Sequence, residues 1–75
     1  MEYNIINEPI KKGDWMLINN PQSDKMRNVV RQCNRVEIMN GVNHYQFFVV
    51  TDEVTGNGHH SGLYPERMCK RIELI

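Results

Sequence analysis

The sequence predicts an all-β domain of five short strands with one helical turn near residues 65–68. Three observations support this class. The purely apolar runs have the length of strands, and Asn40-Gly41, a dipeptide typical of tight hairpins, precedes an aromatic and β-branched run. Pro65 then opens a short turn before a final alternating segment. No repeat or linker divides the chain, so we expect a single domain over residues 1–75.

The N-terminal third contains the first strand signals. Residues 1–8 are predicted to form an arm or an edge strand, and Pro9 and Gly13 then break the chain in a turn. Trp15 begins the apolar run WMLIN, which has the length of a strand. Because the chain has few large hydrophobic residues, we expect the indole of Trp15 to lie in the core.

Residues 24–34 fit either a strand or a helix. At helical spacing one apolar stripe forms, and at a period of two a strand face forms instead. We favour a strand, because a hairpin at Asn40-Gly41 requires one before it, with a helical turn near Met26 as the alternative. The stripe at helical spacing comprises Met26, Val29, Val30, Cys33 and Val36.

The run HYQFFVVT, residues 44–51, is predicted to be a strand with two apolar faces. A small barrel covers only one face of a strand well. The second face is therefore either closed by the N-terminal arm or exposed to a partner. One face presents Tyr45, Phe47 and Val49, and the other presents Phe48 and Val50.

The C-terminal third begins with a polar, glycine-rich loop and ends with a strand. His59 and His60 are expected to be exposed in that loop. Pro65 then begins one helical turn. In the closing run CKRIELI, alternation places Ile72 and Leu74 on one face.

Two segments resemble the Src-homology-3 (SH3) family. KKGDWMLI, residues 11–18, is similar to the turn that leads into that family's second strand. GLYPERMCKRIEL, residues 62–74, is similar to its closing run. The resemblance implies a small five-stranded SH3-like barrel over residues 1–75.

The resemblance does not extend to the family's groove for proline-rich peptides. Pro65 matches the groove proline, but the N-terminal aromatic run and the paired tryptophans are absent, and Met68 stands near the position of a tyrosine. The chain therefore resembles the prokaryotic or viral type that lacks most of this groove.

The balance of charged residues bears on whether the chain binds nucleic acid. Nine Lys/Arg balance nine Asp/Glu, which counts against a dedicated nucleic-acid binder. However, four basic residues without an intervening acid form a local group that predicts RNA or DNA binding as the alternative. These residues are Lys25, Arg27, Arg31 and Arg35.

Catalysis is not expected in so small a domain. The spacings of its histidines and its two cysteines match no familiar zinc pattern, and no phosphate-binding loop is present. We therefore expect no enzyme activity, metal or cofactor. The absence of secretion and membrane signals predicts a cytoplasmic protein with reduced thiols and no membrane partner.

The sequence predicts a non-catalytic protein-interaction module. It would act as a small regulator or inhibitor that occupies the surface of a partner protein, in the manner of a phage or mobile-element protein. Self-association is left open. The expected contacts are the apolar residues Tyr45, Phe48, Tyr64 and Met68 and the charged residues Arg31, Arg35 and Arg67.

Overall fold

The computed structural model describes residues 2–75, and it confirms the all-β class. Residue 1 of the predicted N-terminal segment 1–8 lies outside the described residues. Two 3₁₀ turns, Asp24–Met26 and Glu66–Met68, are the helical elements of the described chain. The strands are β1 Tyr3–Ile6, β2 Trp15–Ile18, β3 Val29–Gln32, β4 Arg35–Met39, β5 Val42–Gln46, β6 Phe48–Asp52, β7 Asn57–His60, β8 Tyr64–Pro65 and β9 Cys69–Leu74.

The strands form three antiparallel sheets. The first has the order β1-β9-β2-β3, the second β4-β5-β8, and the third pairs β6 with β7. The three sheets are not closed into a barrel. Within residues 2–75, no helix is long and apolar enough to cross a membrane.

Nine strands replace the expected five because three of the longer paths change sheet, and β1 adds an edge strand. Residues 29–39 leave the first sheet at Cys33 and continue in the second sheet. Residues 42–52 change sheet at Phe47, where Ser61 holds the corner. The Ser61 hydroxyl accepts the Phe47 N–H at 3.0 Å, and the Ser61 N–H donates to the Phe47 carbonyl at 2.8 Å.

Both alternatives for residues 24–34 occur in succession. A 3₁₀ turn ends at Met26, and β3 begins at Val29. The hairpin at Asn40-Gly41 is confirmed: φ is 53° at Asn40 and 75° at Gly41, so the turn has the positive angles of type I′.

The core lies between the first and second sheets. Residues 3–6 form the predicted edge strand, and β1 pairs with β9. Trp15 is 37% exposed, so the expectation that it is a core residue is wrong, since its neighbour Met16 faces the core instead. The buried cluster comprises Ile10, Met16, Ile18, Cys33, Tyr45, Phe47 and Cys69.

His59 and His60 lie in a strand rather than in a loop. They belong to β7, where His60 is opposite Phe48 and their rings meet edge to face with centroids 5.3 Å apart. Both histidines are exposed, as expected. Gly58 lets the two strands approach, because a Cβ there would lie 1.9 Å from the Val49 carbonyl oxygen.

The β6–β7 ribbon therefore depends on Gly58. We expect Gly58→Ala to lower the free energy of unfolding by about 1–3 kcal/mol, because the new methyl group forces the two strands apart. Urea unfolding followed by circular dichroism measures this change.

Gly62→Ala is the matched control, since a Cβ at Gly62 has no heavy atom within 4 Å. Equal effects of the two substitutions would contradict this account of the ribbon.

Candidate interaction surfaces

Strand β2 of the first sheet is apolar on both of its faces. Alternate residues of β2 point to opposite sides, and Met16 and Ile18 are completely buried in the core. Trp15 and Leu17 therefore point away from the core. Trp15 is opposite Ile72 of β9, which in turn is opposite Ile5 of β1.

Ile72 shows that this outer face has an apolar layer of its own. It is 3% exposed, yet it is not part of the core cluster. Its cross-strand neighbours are Trp15 and Ile5, and Ile5 is 57% exposed. The residues whose register places them on this outer face are Tyr3, Ile5, Trp15, Leu17, Val30, Ile72 and Leu74.

Polar side chains lie among these apolar residues. Lys70 is opposite Leu17, and Gln32 is opposite Trp15. The Gln32 amide also donates to the Gly13 carbonyl at 3.0 Å. Gln32 lies on the edge strand β3, so it borders the apolar residues as polar residues do at the rim of a protein interface.

Sequence reasoning missed the outer face, although a signal for it was present. A strand of four successive apolar residues, Trp15–Ile18, must be apolar on both sides because its side chains alternate. The same reasoning identified two apolar faces in residues 44–51.

The expected apolar contacts do not form one patch. Tyr45 is 2% exposed, so a partner cannot reach its ring and Tyr45 acts as a core residue. Tyr64 is half-buried and stacks on Phe47 with ring centroids 5.8 Å apart. Met68 is half-buried and packs against the core.

Phe48 is accessible, since it is 40% exposed on β6. The face of β6 that carries Phe48 and Val50 stays exposed. The N-terminal strand does not close it, because β1 pairs with β9 in a different sheet.

The three arginines expected to contact a partner lie in different surroundings. Arg31 lies over the Phe47 ring at 5.6 Å and donates to the Val30 carbonyl at 2.8 Å. Arg35 pairs with Glu37. Arg67 is exposed beside Met68, on the 3₁₀ turn Glu66–Met68.

Much of the basic stretch at residues 25–35 has internal partners. Arg27 contacts Asp24 at 3.3 Å and the Pro21 carbonyl at 2.7 Å. Asp24 and Glu37 therefore offset part of the positive charge of this stretch.

A cationic cleft of about 740 Å³ lies beside the start of β4. Lys11, Lys12, Arg35 and His60 line it, and among residues 2–75 no Asp or Glu does. The Asn34 side-chain nitrogen lies 3.2 Å from Nδ1 of His60 at the same place. The cleft therefore offers positive charge to an acidic group.

The two thiols are poorly placed for nucleophilic chemistry. Cys33 and Cys69 are both buried and unbridged. Burial raises the pKa of Cys69 to about 12 and also raises the pKa of Cys33. A reactive cysteine needs a lowered pKa. Within residues 2–75, no three His, Cys, Asp or Glu side chains are grouped to hold a metal.

The buried thiol of Cys69 predicts a loss of stability at alkaline pH. An unfolded thiol ionises near its ordinary pKa of 9.0, whereas the folded thiol stays protonated to about 12. Unfolding therefore releases a proton in this interval, and stability falls by up to about 1.4 kcal/mol per pH unit. Urea unfolding at several pH values in the interval measures the slope.

Cys69→Ala is the comparison variant, since lysines and tyrosines titrate in the same range. It should show a shallower decline than the parent chain. Identical slopes would contradict a raised pKa at Cys69.

The chain was compared with models of protein families, with curated proteins and with solved structures, and none of them matches.

Proposed function

We propose that this chain is a non-catalytic protein-interaction module that binds a partner protein through the outer face of its first sheet. The observation behind this proposal is the apolar layer around Ile72, with Trp15 and Ile5 partly open to water. Contiguous exposed apolar surface of this kind marks interaction sites. The module would act as a small regulator or inhibitor by covering its partner's surface.

The chemistry of the outer face suits a protein partner. Tyrosine and tryptophan are enriched among the residues that dominate binding energy, and Tyr3 and Trp15 both lie on this face. Removing a large apolar side chain completely from water stabilises a complex by about 1.5–3 kcal/mol. Lys70 and Gln32 supply polar contacts within the same face.

We also propose that the fold is related to the SH3-like barrel of five strands. Five continuous paths support this: β2, β3 with β4, β5 with β6, β7 with β8, and β9. A 3₁₀ turn precedes the last path at Glu66–Met68, as the resemblance implies. A cytoplasmic location also belongs to the proposal, and it is supported by the unbridged Cys33 and Cys69.

Nucleic-acid binding is the second candidate, and the cationic cleft favours it. Lys11 and Lys12 bring two positive charges from a loop to the side of Arg35, whose own charge is partly offset by Glu37. Phosphates would bind here rather than along the whole of residues 25–35.

The outer face predicts a charge-sensitive interaction. Ile5→Glu places a carboxylate on that face, so we expect it to abolish capture of the partner protein from a lysate of the source cells. Val54→Glu is the matched control, because Val54 is exposed in the β6–β7 turn. Quantitative mass spectrometry compares recovery with the parent and both variants.

Trp15 provides a direct readout, because it is the single tryptophan of the chain. Addition of the captured partner should shift its fluorescence to shorter wavelength and reduce quenching by acrylamide. Equal capture by Ile5→Glu and the parent, or recovery of nucleic acid alone, would overturn the protein-binding proposal.

The cationic cleft makes a separate prediction for nucleic acid. If it binds phosphates, affinity for a single-stranded oligonucleotide should fall steeply between about 50 and 200 mM salt, because bound counterions are released. The variant Lys11→Glu/Lys12→Glu should lose this binding, while Lys25→Glu should retain it. Fluorescence anisotropy measures the affinity, and a salt-independent signal would exclude this candidate.

A further inference from the structure

The outer edge of β4 is free to pair with another strand. β4 is the end strand of the second sheet, and β5 is its neighbour there. The turn at Asn40-Gly41 makes Met39 and Val42 a hydrogen-bonded pair, and such pairs alternate along an antiparallel ladder. Val36 and Ile38 therefore direct their backbone N–H and C=O groups outward.

The residues at this edge are accessible. Ile38 is 73% exposed, and Val36 and Met39 are exposed as well. Within residues 2–75, no backbone hydrogen bond reaches β4 from this side. Unpaired edges with apolar side chains are templates for strand addition unless something blocks them.

The charges on β4 are complementary to a second copy of the strand. Arg35 and Glu37 lie two residues apart on one face and form an ion pair within the chain. In an antiparallel pair with a twofold axis at Val36, Arg35 lies opposite Glu37 of the second copy. Glu37 lies opposite Arg35 of the second copy by the same symmetry. The edge thus presents two attractive contacts to itself.

The charges also select the register. An axis at Glu37 would place the two Glu37 carboxylates directly opposite each other, and like charges in that position destabilise a sheet. An axis at Val36 avoids this contact. Lys11 and Lys12 line the cleft beside Arg35. Because Glu37 of the second copy lies opposite Arg35, these lysines add positive charge near that carboxylate.

We propose that two copies of this chain pair through the free edges of β4 to form one continuous antiparallel sheet. Each copy contributes the three strands β4, β5 and β8. Val36 of each copy exchanges backbone hydrogen bonds across the axis, and Arg35 and Glu37 form the two intermolecular ion pairs. The interface is small, so the dimer is weak and depends on concentration.

Sedimentation velocity on the full chain tests this pairing at concentrations from about 10 μM to 1 mM, where small interfaces associate. The parent should shift from monomer to dimer across this range. Arg35→Glu and Glu37→Arg should each weaken the dimer by roughly tenfold or more, because both ion pairs become like-charge contacts. The double variant Arg35→Glu/Glu37→Arg should restore the parent's association.

Three controls distinguish loss of β4 pairing from a general charge effect, from unfolding and from association through the outer face. Glu53→Arg reverses a charge in an exposed turn, so it should leave the dimer intact. Circular dichroism of each variant at low concentration verifies that the monomer is folded. Ile5→Glu alters the outer face of the first sheet, so it should also leave this dimer intact.

The pairing through β4 is overturned if the parent stays monomeric over the whole range. It is also overturned if the double variant associates no better than the single variants. Loss of the dimer in Ile5→Glu alone would assign self-association to the outer face instead.

Discussion

The rest of the structure depends on β2, which is apolar on both of its faces. Met16 and Ile18 fill the core on one side, and Trp15 and Leu17 face away on the other. Side chains alternate along a strand, so four successive apolar residues cannot leave a polar face toward water. The second face is only partly covered within the chain, since Trp15 is 37% exposed.

A small ion-pair network holds the loop beside the first sheet. Arg71 of β9 contacts Glu8 and lies 3.3 Å from Asp14, whose carboxylate also accepts the Lys11 N–H at 2.8 Å. Arg71 and Asp14 are half-buried, whereas Glu8 is largely exposed, so the contact with Glu8 stabilises the fold only modestly. Their main effect is positional, because they bring Lys11 and its neighbour Lys12 to the cleft beside β4.

The two proposed interaction surfaces differ in chemistry and lie on different sheets. The outer face of the first sheet presents apolar side chains such as Trp15, whereas the edge of β4 presents backbone groups and the charges of Arg35 and Glu37. A partner on the outer face of the first sheet would be bound mainly through burial of apolar surface. Pairing at the edge of β4 would be directed by backbone hydrogen bonds and by the positions of Arg35 and Glu37 along the strand.

The sequence by itself determined the local structure: the strand at Trp15–Ile18, the hairpin at Asn40-Gly41 and the helical turn after Pro65. These follow from residue alternation and from the angles that single residues prefer. The tertiary structure alone decided which face of each strand is covered, because this depends on cross-strand neighbours distant in the chain. It buried Tyr45, exposed part of Trp15 and split the long strands at Cys33 and Phe47. Proximity in space likewise brought Lys11 and Lys12 beside Arg35, which no spacing in the sequence indicates.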